Sequence, residues 1–247
     1  MDLLHEVHPG LHAASLTSHA NLPSASGSAG LALTLIDAGK AIELRSVPLT
    51  RQQLAAKRLL DLVGGMLALL IALPVLILIV ALIRLDSPGP VLFRQRRIGF
   101  NGRPFHIYKF RTMTTLEDGA VIRQTCRNDA RVTRVGRTLR KLSLDELPQL
   151  LNVLRGEMSL VGPRPHALAH DTEYRQAIAH YAARHNVKPG ITGWAQVNGW
   201  RGPTPQLDLM VRRVEHDLWY VDHWSIWFDI RIMLLTIIRA GNTENAL

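Results

Sequence analysis

Cysteine is almost absent: the 247-residue chain holds one, Cys126. A lone thiol excludes an intramolecular disulfide and fits a reducing compartment. No Lys or Arg precedes Lys40, so the N-terminal stretch lacks the basic n-region and apolar h-region of a secretory signal. No RNA-binding signature or aromatic-interleaved sheet motif occurs, which ranks nucleic acid last among anionic partners. Charge is missing altogether between Leu62 and Ile83. What remains is basic: 29 Lys and Arg against 20 Asp and Glu give a formal charge of +9. That balance favours acidic lipid head groups or a phosphorylated substrate.

The apolar stretch from Leu59 to Ile83 is the strongest physical signal. Twenty-odd apolar residues in a helix reach roughly 30 Å, enough to cross a bilayer core. Pro74 stands near its middle and removes a backbone hydrogen bond. Basic residues flank both ends, Lys57 and Arg58 before and Arg84 after, whereas a simple span carries its excess on the cytoplasmic side. The pattern admits either a single span or a helix–break–helix that enters and leaves by one face. Either way the following domain is expected in the cytoplasm.

Before this run, His5, His8 and His12 have helix-like spacing that Pro9-Gly10 interrupts, and a disordered tail is the default. Residues 31–49 predict one or two short strands. After it, two β-rich runs flank Gly99-Phe100-Asn101-Gly102 and predict a hairpin bearing Arg94, Arg96, Arg97, Lys109 and Arg111. Residues 114–132 read as a polar loop. Helices are expected over Leu168–Arg184 and Gln206–Tyr220. Trp219, Tyr220, Trp224 and Trp227 introduce Ile226–Ile238, which suits an amphipathic helix in the membrane interface.

Ser143-Leu144-Asp145-Glu146 opens a helix whose Leu147, Leu150, Leu151 and Leu154 form one apolar face. Taken alone, Ser143 and Glu146 fit a capping box, with acidic residues favoured by the helix dipole. Its company suggests chemistry. Arg140 and Lys141 precede the pair, the rigid turn Gly162-Pro163-Arg164-Pro165 follows it, and a second Gly/Pro-rich segment runs from Val187 to Gly199. Rigid loops bearing an Arg hold phosphates by forked hydrogen bonds. Two adjacent carboxylates among cations can divide labour, one attacking phosphorus and the other holding a divalent metal.

These residues resemble the bacterial sugar transferase family, the monotopic polyprenyl-phosphate phosphoglycosyl transferases. The likeness covers roughly Ala56 to Arg239. It rests on Lys57-Arg58-Leu59-Leu60-Asp61, Tyr108-Lys109-Phe110-Arg111-Thr112-Met113, Asp145-Glu146-Leu147, Gly162-Pro163-Arg164-Pro165 and Pro189-Gly190-Ile191-Thr192-Gly193-Trp194. The resemblance implies transfer of a sugar-1-phosphate from a UDP-sugar to undecaprenyl phosphate, with release of UMP. It makes Asp145 the nucleophile and Glu146 the Mg²⁺ ligand. It assigns phosphate contacts to Lys109, Arg111, Arg140, Arg164 and Arg201, although Trp200 separates Arg201 from the Val-Asn-Gly that some small relatives follow directly with Arg. Pro163, Pro165, Pro189, Gly190 and Gly193 shape the site loops, and Pro74 marks a re-entrant break. The stretch from Trp200 to Tyr220 is similar to members that start exopolysaccharide synthesis with glucose or galactose; an N-acetylhexosamine is the alternative sugar.

The resulting expectation is an α-dominated α+β fold. Residues 1–50 form a tail, 51–86 a re-entrant membrane helix, and 87–247 a cytoplasmic catalytic domain with a small hairpin and interfacial helices. Its place is the bacterial inner membrane, with the catalytic domain on the cytoplasmic face and membrane lipid as a partner. The pattern leaves a homodimer open. The rival from another class is a non-catalytic membrane adaptor in which Asp145–Glu146 serves only as a cap.

Overall fold

The uncharged run folds as part of a single helix, α1 (Arg51–Asp86), 36 residues long. It starts on a capping box, in which Thr50 Oγ1 accepts from the Gln53 amide at 3.3 Å and Gln53 Oε1 accepts from the Thr50 amide at 2.8 Å. By length and composition α1 is apolar enough to cross a membrane. The expected interruption at Pro74 does not occur: the helix runs through the proline. Losing one backbone bond there leaves the turns on either side to carry the ladder.

The computed structural model describes residues 33–37, 40–44, 50–115, 129–202 and 206–239. The expected tail, the His5/His8/His12 spacing, Cys126 and most of the polar loop lie outside the described residues. Strands β1 (Leu33–Asp37) and β2 (Lys40–Leu44) pair antiparallel, Leu33 opposite Leu44. The basic hairpin is β3 (Leu92–Ile98) and β4 (Pro104–Phe110), registered Leu92 to Phe110 and Ile98 to Pro104. Its loop is a 3₁₀ turn, Phe100–Gly102, with Asn101 left-handed at φ 54°.

Helices dominate the rest. In order come α2 (Arg134–Lys141), α3 (Gln149–Arg155), β5 (Ser159–Val161), α4 (Leu168–Ala177), β6 (Gly190–Thr192), α5 (Trp194–Val197), α6 (Leu207–Asp222) and α7 (Ile226–Arg239). The helix expected over Leu168–Arg184 is two pieces. α4 stops at Ala177, His180 turns left-handed at φ 58°, and a 3₁₀ segment covers Tyr181–Asn186. β5 and β6 are parallel neighbours, and they bring the two Gly/Pro loops together.

Both ends of α1 dock on this domain. Near its start, Asp61 Oδ1 accepts from Ser159 Oγ at 2.8 Å and the Leu160 amide at 2.9 Å, and the Arg58 fork donates to the Val153 and Leu154 carbonyls at 2.7 Å each. Near its end, Ile79 and Ile83 are buried with Phe110 and Leu139, and Asp86 Oδ2 accepts from the Val135 amide at 3.1 Å. Between Gly65 and Ile79 no residue of α1 is buried.

Helix α7 is tied in by a charge. Asp229 is fully buried and accepts from Lys57 Nζ at 2.7 Å, Tyr220 Oη at 2.8 Å and Trp224 Nε1 at 3.1 Å. The aromatic cluster expected at a membrane interface is therefore divided. Tyr220 and Trp224 are core residues, because their polar tips satisfy Asp229, while Trp219 and Trp227 stay exposed. Trp227, Leu234, Ile237 and Ile238 give α7 an apolar outer face. Removing one partner of a buried pair strands the other charge, which costs about 3–5 kcal/mol. Lys57→Met should therefore lower unfolding free energy by about that much, read by denaturant unfolding in detergent. A loss below about 1 kcal/mol would show that the pair is not holding α1 to α7.

Candidate active site

The acidic pair does not cap a helix. Asp145 and Glu146 sit in a 3₁₀ turn, Leu144–Glu146, entered through Ser143 in the left-handed region at φ 57°, and the Ser143 hydroxyl makes no capping bond. Pro148 explains the departure from the expected capping box. An α-helix starting at Leu144 would need an amide at Pro148 to bond Leu144, and the proline ring would strike that carbonyl. Pro148 instead takes the N-cap position of α3, which begins at Gln149. The tight turn presents the two side chains differently: Glu146 is buried, and Asp145 is half-buried.

Glu146 is surrounded by cations. Oε1 accepts from Lys109 Nζ at 2.7 Å and from Arg164 Nη2 at 2.6 Å. Oε2 accepts from Arg164 Nη1 at 3.0 Å and lies 4.0 Å from Arg201 Nη2. The Arg164 fork is thus bidentate, the strongest geometry for a guanidinium on a carboxylate. Lys109 comes from β4, which Asn152 of α3 pins in place. Its Oδ1 accepts from the Tyr108 amide at 3.0 Å and its Nδ2 donates to the His106 carbonyl at 2.7 Å.

Arg164 comes from the Gly162–Pro165 turn. Flanking Pro163 and Pro165 fix φ on both sides of it, and Arg97 Nη1 donates to the Pro165 carbonyl at 3.0 Å. The second loop packs backbone against backbone on the first. The Gly190 amide donates to the Pro163 carbonyl at 3.0 Å and the Gly162 amide to the Thr192 carbonyl at 2.9 Å. A Cβ on Gly190 would meet the Gly162 nitrogen at 2.1 Å, and one on Gly193 would meet the Gly162 carbonyl oxygen at 2.3 Å. Only glycine permits that approach. Pro189 accepts from the Ser159 amide at 2.8 Å, extending the same contact along β5.

The two carboxyl groups are driven apart in acidity. Burial alone would raise Glu146, but Arg164 and Lys109 outweigh it and hold the group well below the usual carboxylate range. Burial first, and the Glu146 charge second, push Asp145 up to about 6, against the pull of Lys109, Arg140 and Arg164. Among the described residues none donates a hydrogen bond to the Asp145 carboxylate. A split pair of this kind assigns distinct roles. Glu146 stays a charge-holding acceptor, and Asp145 is ionised at neutral pH yet more basic than an ordinary aspartate.

The description Bacterial sugar transferase matches residues 52–242. The chain belongs to that family. Among its relatives is the UDP-glucose:undecaprenyl-phosphate glucose-1-phosphate transferase of Escherichia coli (strain K12), 53% identical over 80% of this chain and 43% of the relative. A protein of the same name from Caulobacter vibrioides is 54% identical over 77% of this chain and 71% of its own length. The exopolysaccharide production protein PSS of Rhizobium leguminosarum bv. phaseoli is 47% identical over 75% of this chain and 94% of its own length. The chain spans less than half the length of the Escherichia coli protein and of two further relatives with the same name.

Within this bacterial sugar transferase, not every residue assigned to phosphate lies at the pair. Arg111 does not join the cluster: it is buried, and its guanidinium donates to the Ser87 carbonyl at 2.6 Å, to Ser87 Oγ at 3.1 Å and to the Pro88 carbonyl. Arg111 stands just beyond the end of β4, and its guanidinium turns to the α1–β3 turn, which it locks. Arg140 reaches Met113 Sδ at 3.6 Å and acts on Asp145 through space rather than by contact with Glu146. By sequence Asn152 had no role and Arg97 counted only among the hairpin cations, yet they position Lys109 and the Arg164 turn. The signal for Asn152 was a polar residue inside a leucine-rich helix.

Oxygen donors suited to a hard cation are present. Among the described residues Glu146 Oε2 accepts a hydrogen bond from Arg164 Nη1 alone, and the Asp145 carboxylate is adjacent. No cluster of three or more protein ligands occurs among the described residues. Mg²⁺ binds through one or two carboxylates together with substrate phosphates, and Glu146 is the residue here that would hold it. The charge coupling can be checked directly. Glu146→Gln removes the negative neighbour and leaves Lys109, Arg140 and Arg164, so the Asp145 titration midpoint should fall below about 6. A carboxyl-carbon NMR titration reads it, and a midpoint that stays or rises would contradict the arrangement.

Proposed function

We propose that the chain transfers a hexose-1-phosphate, from UDP-glucose or UDP-galactose, to undecaprenyl phosphate at the cytoplasmic face of the bacterial inner membrane. The observation that carries this is the Glu146 cation cluster beside Asp145, whose carboxyl is raised to about 6. The names of the relatives supply the substrate class, and glucose is the sugar in the names of the Escherichia coli and Caulobacter vibrioides proteins.

In the first step an Asp145 carboxylate oxygen attacks the sugar-bearing phosphorus of the UDP-sugar. The bond from that phosphorus to the bridging oxygen breaks, UMP departs with the electron pair, and an aspartyl-phosphosugar remains. In the second step a phosphate oxygen of undecaprenyl phosphate attacks the same phosphorus. The Asp145–phosphorus bond breaks, which restores the carboxylate and leaves a polyprenyl diphosphosugar. Phosphoryl transfer needs mainly alignment and stabilisation of charge on the phosphate oxygens. Lys109, Arg164 and Arg201 supply positive charge held in place before substrate arrives, and Arg140 adds a longer-range contribution. Glu146 would hold Mg²⁺, which would supply further neutralisation of phosphate charge. Because the covalent step stores the sugar phosphate, a soluble and a lipid substrate can use one site in turn.

Topology follows the same reading. A spanning α1 would leave one end across the bilayer, yet Asp61 and Asp86 both bond the same domain. That supports a helix that dips into one leaflet, with α7 lying beside it in the interface. Arg51→Cys and Pro90→Cys, each in a Cys126→Ser background, should both react with an impermeant thiol reagent only from the cytoplasmic side. Labelling from opposite sides would sink re-entrance.

The chemistry is tested with protein in detergent, Mg²⁺, undecaprenyl phosphate and a panel of UDP-sugars. UMP, not UDP, should appear, and Asp145→Asn should abolish it while membrane association persists. Survival of UMP release in Asp145→Asn would remove Asp145 as nucleophile. The pH profile has a definite sign. The attacking form is the carboxylate, so the rate should rise about tenfold per pH unit below about 6 and level off above it.

A further inference from the structure

Arg164 and Arg201 reach Glu146 from loops, and a loop side chain is aimed only as well as the backbone that carries it. The carbonyls on either side of Arg201 are both held by one residue. Arg213 donates through Nε to the Trp200 carbonyl at 2.7 Å and through Nη2 to the Gly202 carbonyl. Arg213 lies on α6 and is 5% exposed. One turn further along the same buried face, Asp217 Oδ2 accepts from Arg184 Nε at 3.1 Å and Nη2 at 2.6 Å. Arg184 Nη2 also donates to the carbonyl of Arg164 itself at 2.7 Å. One helical face therefore reaches the backbone of both guanidiniums that address Glu146.

The chemistry of these groups argues against filler. A buried charge is costly, and apolar residues of like volume often serve stability better. Burial first, then Arg164, lower Arg213 to about 10, so it remains charged at neutrality. Its planar fork can bracket two carbonyls two residues apart, which a lysine cannot do. We propose that α6 is the positioning element of this site: Arg213 sets Arg201, and Asp217, acting through Arg184, sets Arg164. Neither Arg213 nor Asp217 needs to touch substrate. The inference rests on the phosphoglycosyl transfer reading and adds to it the residues that aim its cations.

The test is a double-mutant cycle on UMP release from UDP-glucose in the presence of undecaprenyl phosphate. Arg213→Lys should lower kcat/KM by about tenfold to a hundredfold, the scale of a small misplacement at a reacting centre, while the thermal midpoint moves by no more than about 3 °C. In an Arg201→Ala background the same change should cost less than about twofold, because its effect passes through Arg201. A full additive loss there, an unchanged kcat/KM in Arg213→Lys, or wild-type kinetics in Arg201→Ala would each overturn the proposal. If Arg213→Lys does not fold, Asp217→Asn against Arg164→Lys runs the same cycle through Arg184. Failure of the underlying reading is visible separately, since wild-type protein would then release no UMP with any UDP-sugar, and the inference would fall with it.

Discussion

A buried carboxylate must be satisfied where it sits, and Glu146 organises the molecule around that requirement. Its oxygens draw in Lys109 from the β3–β4 hairpin and Arg164 from the turn after β5, with Arg201 from a third segment 4.0 Å away. Each of those segments is then fixed by other means. Asn152 ties the hairpin to α3, parallel pairing of β5 and β6 ties the two Gly/Pro loops together, and α6 lies behind both arginines. Burial without these partners would cost several kcal/mol. The cation cluster that anchors the fold is thus also the set of charges a phosphate would meet.

The same logic operates at the other buried acid. Asp229 accepts from Lys57, Tyr220 and Trp224, and so joins the start of α1 to α6, α7 and the segment between them. In a linear reading Asp229 interrupts an apolar helix. In three dimensions it is the joint that lets α7 turn Trp227, Ile237 and Ile238 outward while its inner face stays in the core. The apolar surfaces of α1 and α7 are therefore held to a domain whose acidic pair sits among cations. This suits chemistry on a lipid phosphate at a bilayer surface.

Much of the architecture was legible from local pattern. The uncharged run had to be a helix, the strands around Gly99–Gly102 had to pair, and the leucine spacing after Pro148 had to be helical, because period and turn chemistry are local properties. Where local readings failed, a residue-level cause is visible. Ser143 and Glu146 have capping-box spacing, but Pro148 denies the helix the amide it would need. The helix expected over Leu168–Arg184 breaks at left-handed His180, and the following segment places Arg184 under Arg164. Arg111 shares a motif with Lys109, yet it falls just past the end of β4 and is taken up by the carbonyls of the Ser87 turn instead.

The sequence by itself determined the membrane-competent helix, the acidic pair, the basic excess and the two rigid loops, since these depend on composition and on residues close together in the chain. Only the tertiary structure decided which cations meet Glu146, that no described residue donates a hydrogen bond to Asp145, and that Arg213, Asp217 and Arg184 stand behind the arginines that do the meeting. The physical reason is separation: Lys109, Glu146, Arg164 and Arg201 come from distant parts of the chain. Their electrostatics exist only once packing brings them within a few ångströms, where each unit of charge sets the acidity of the next.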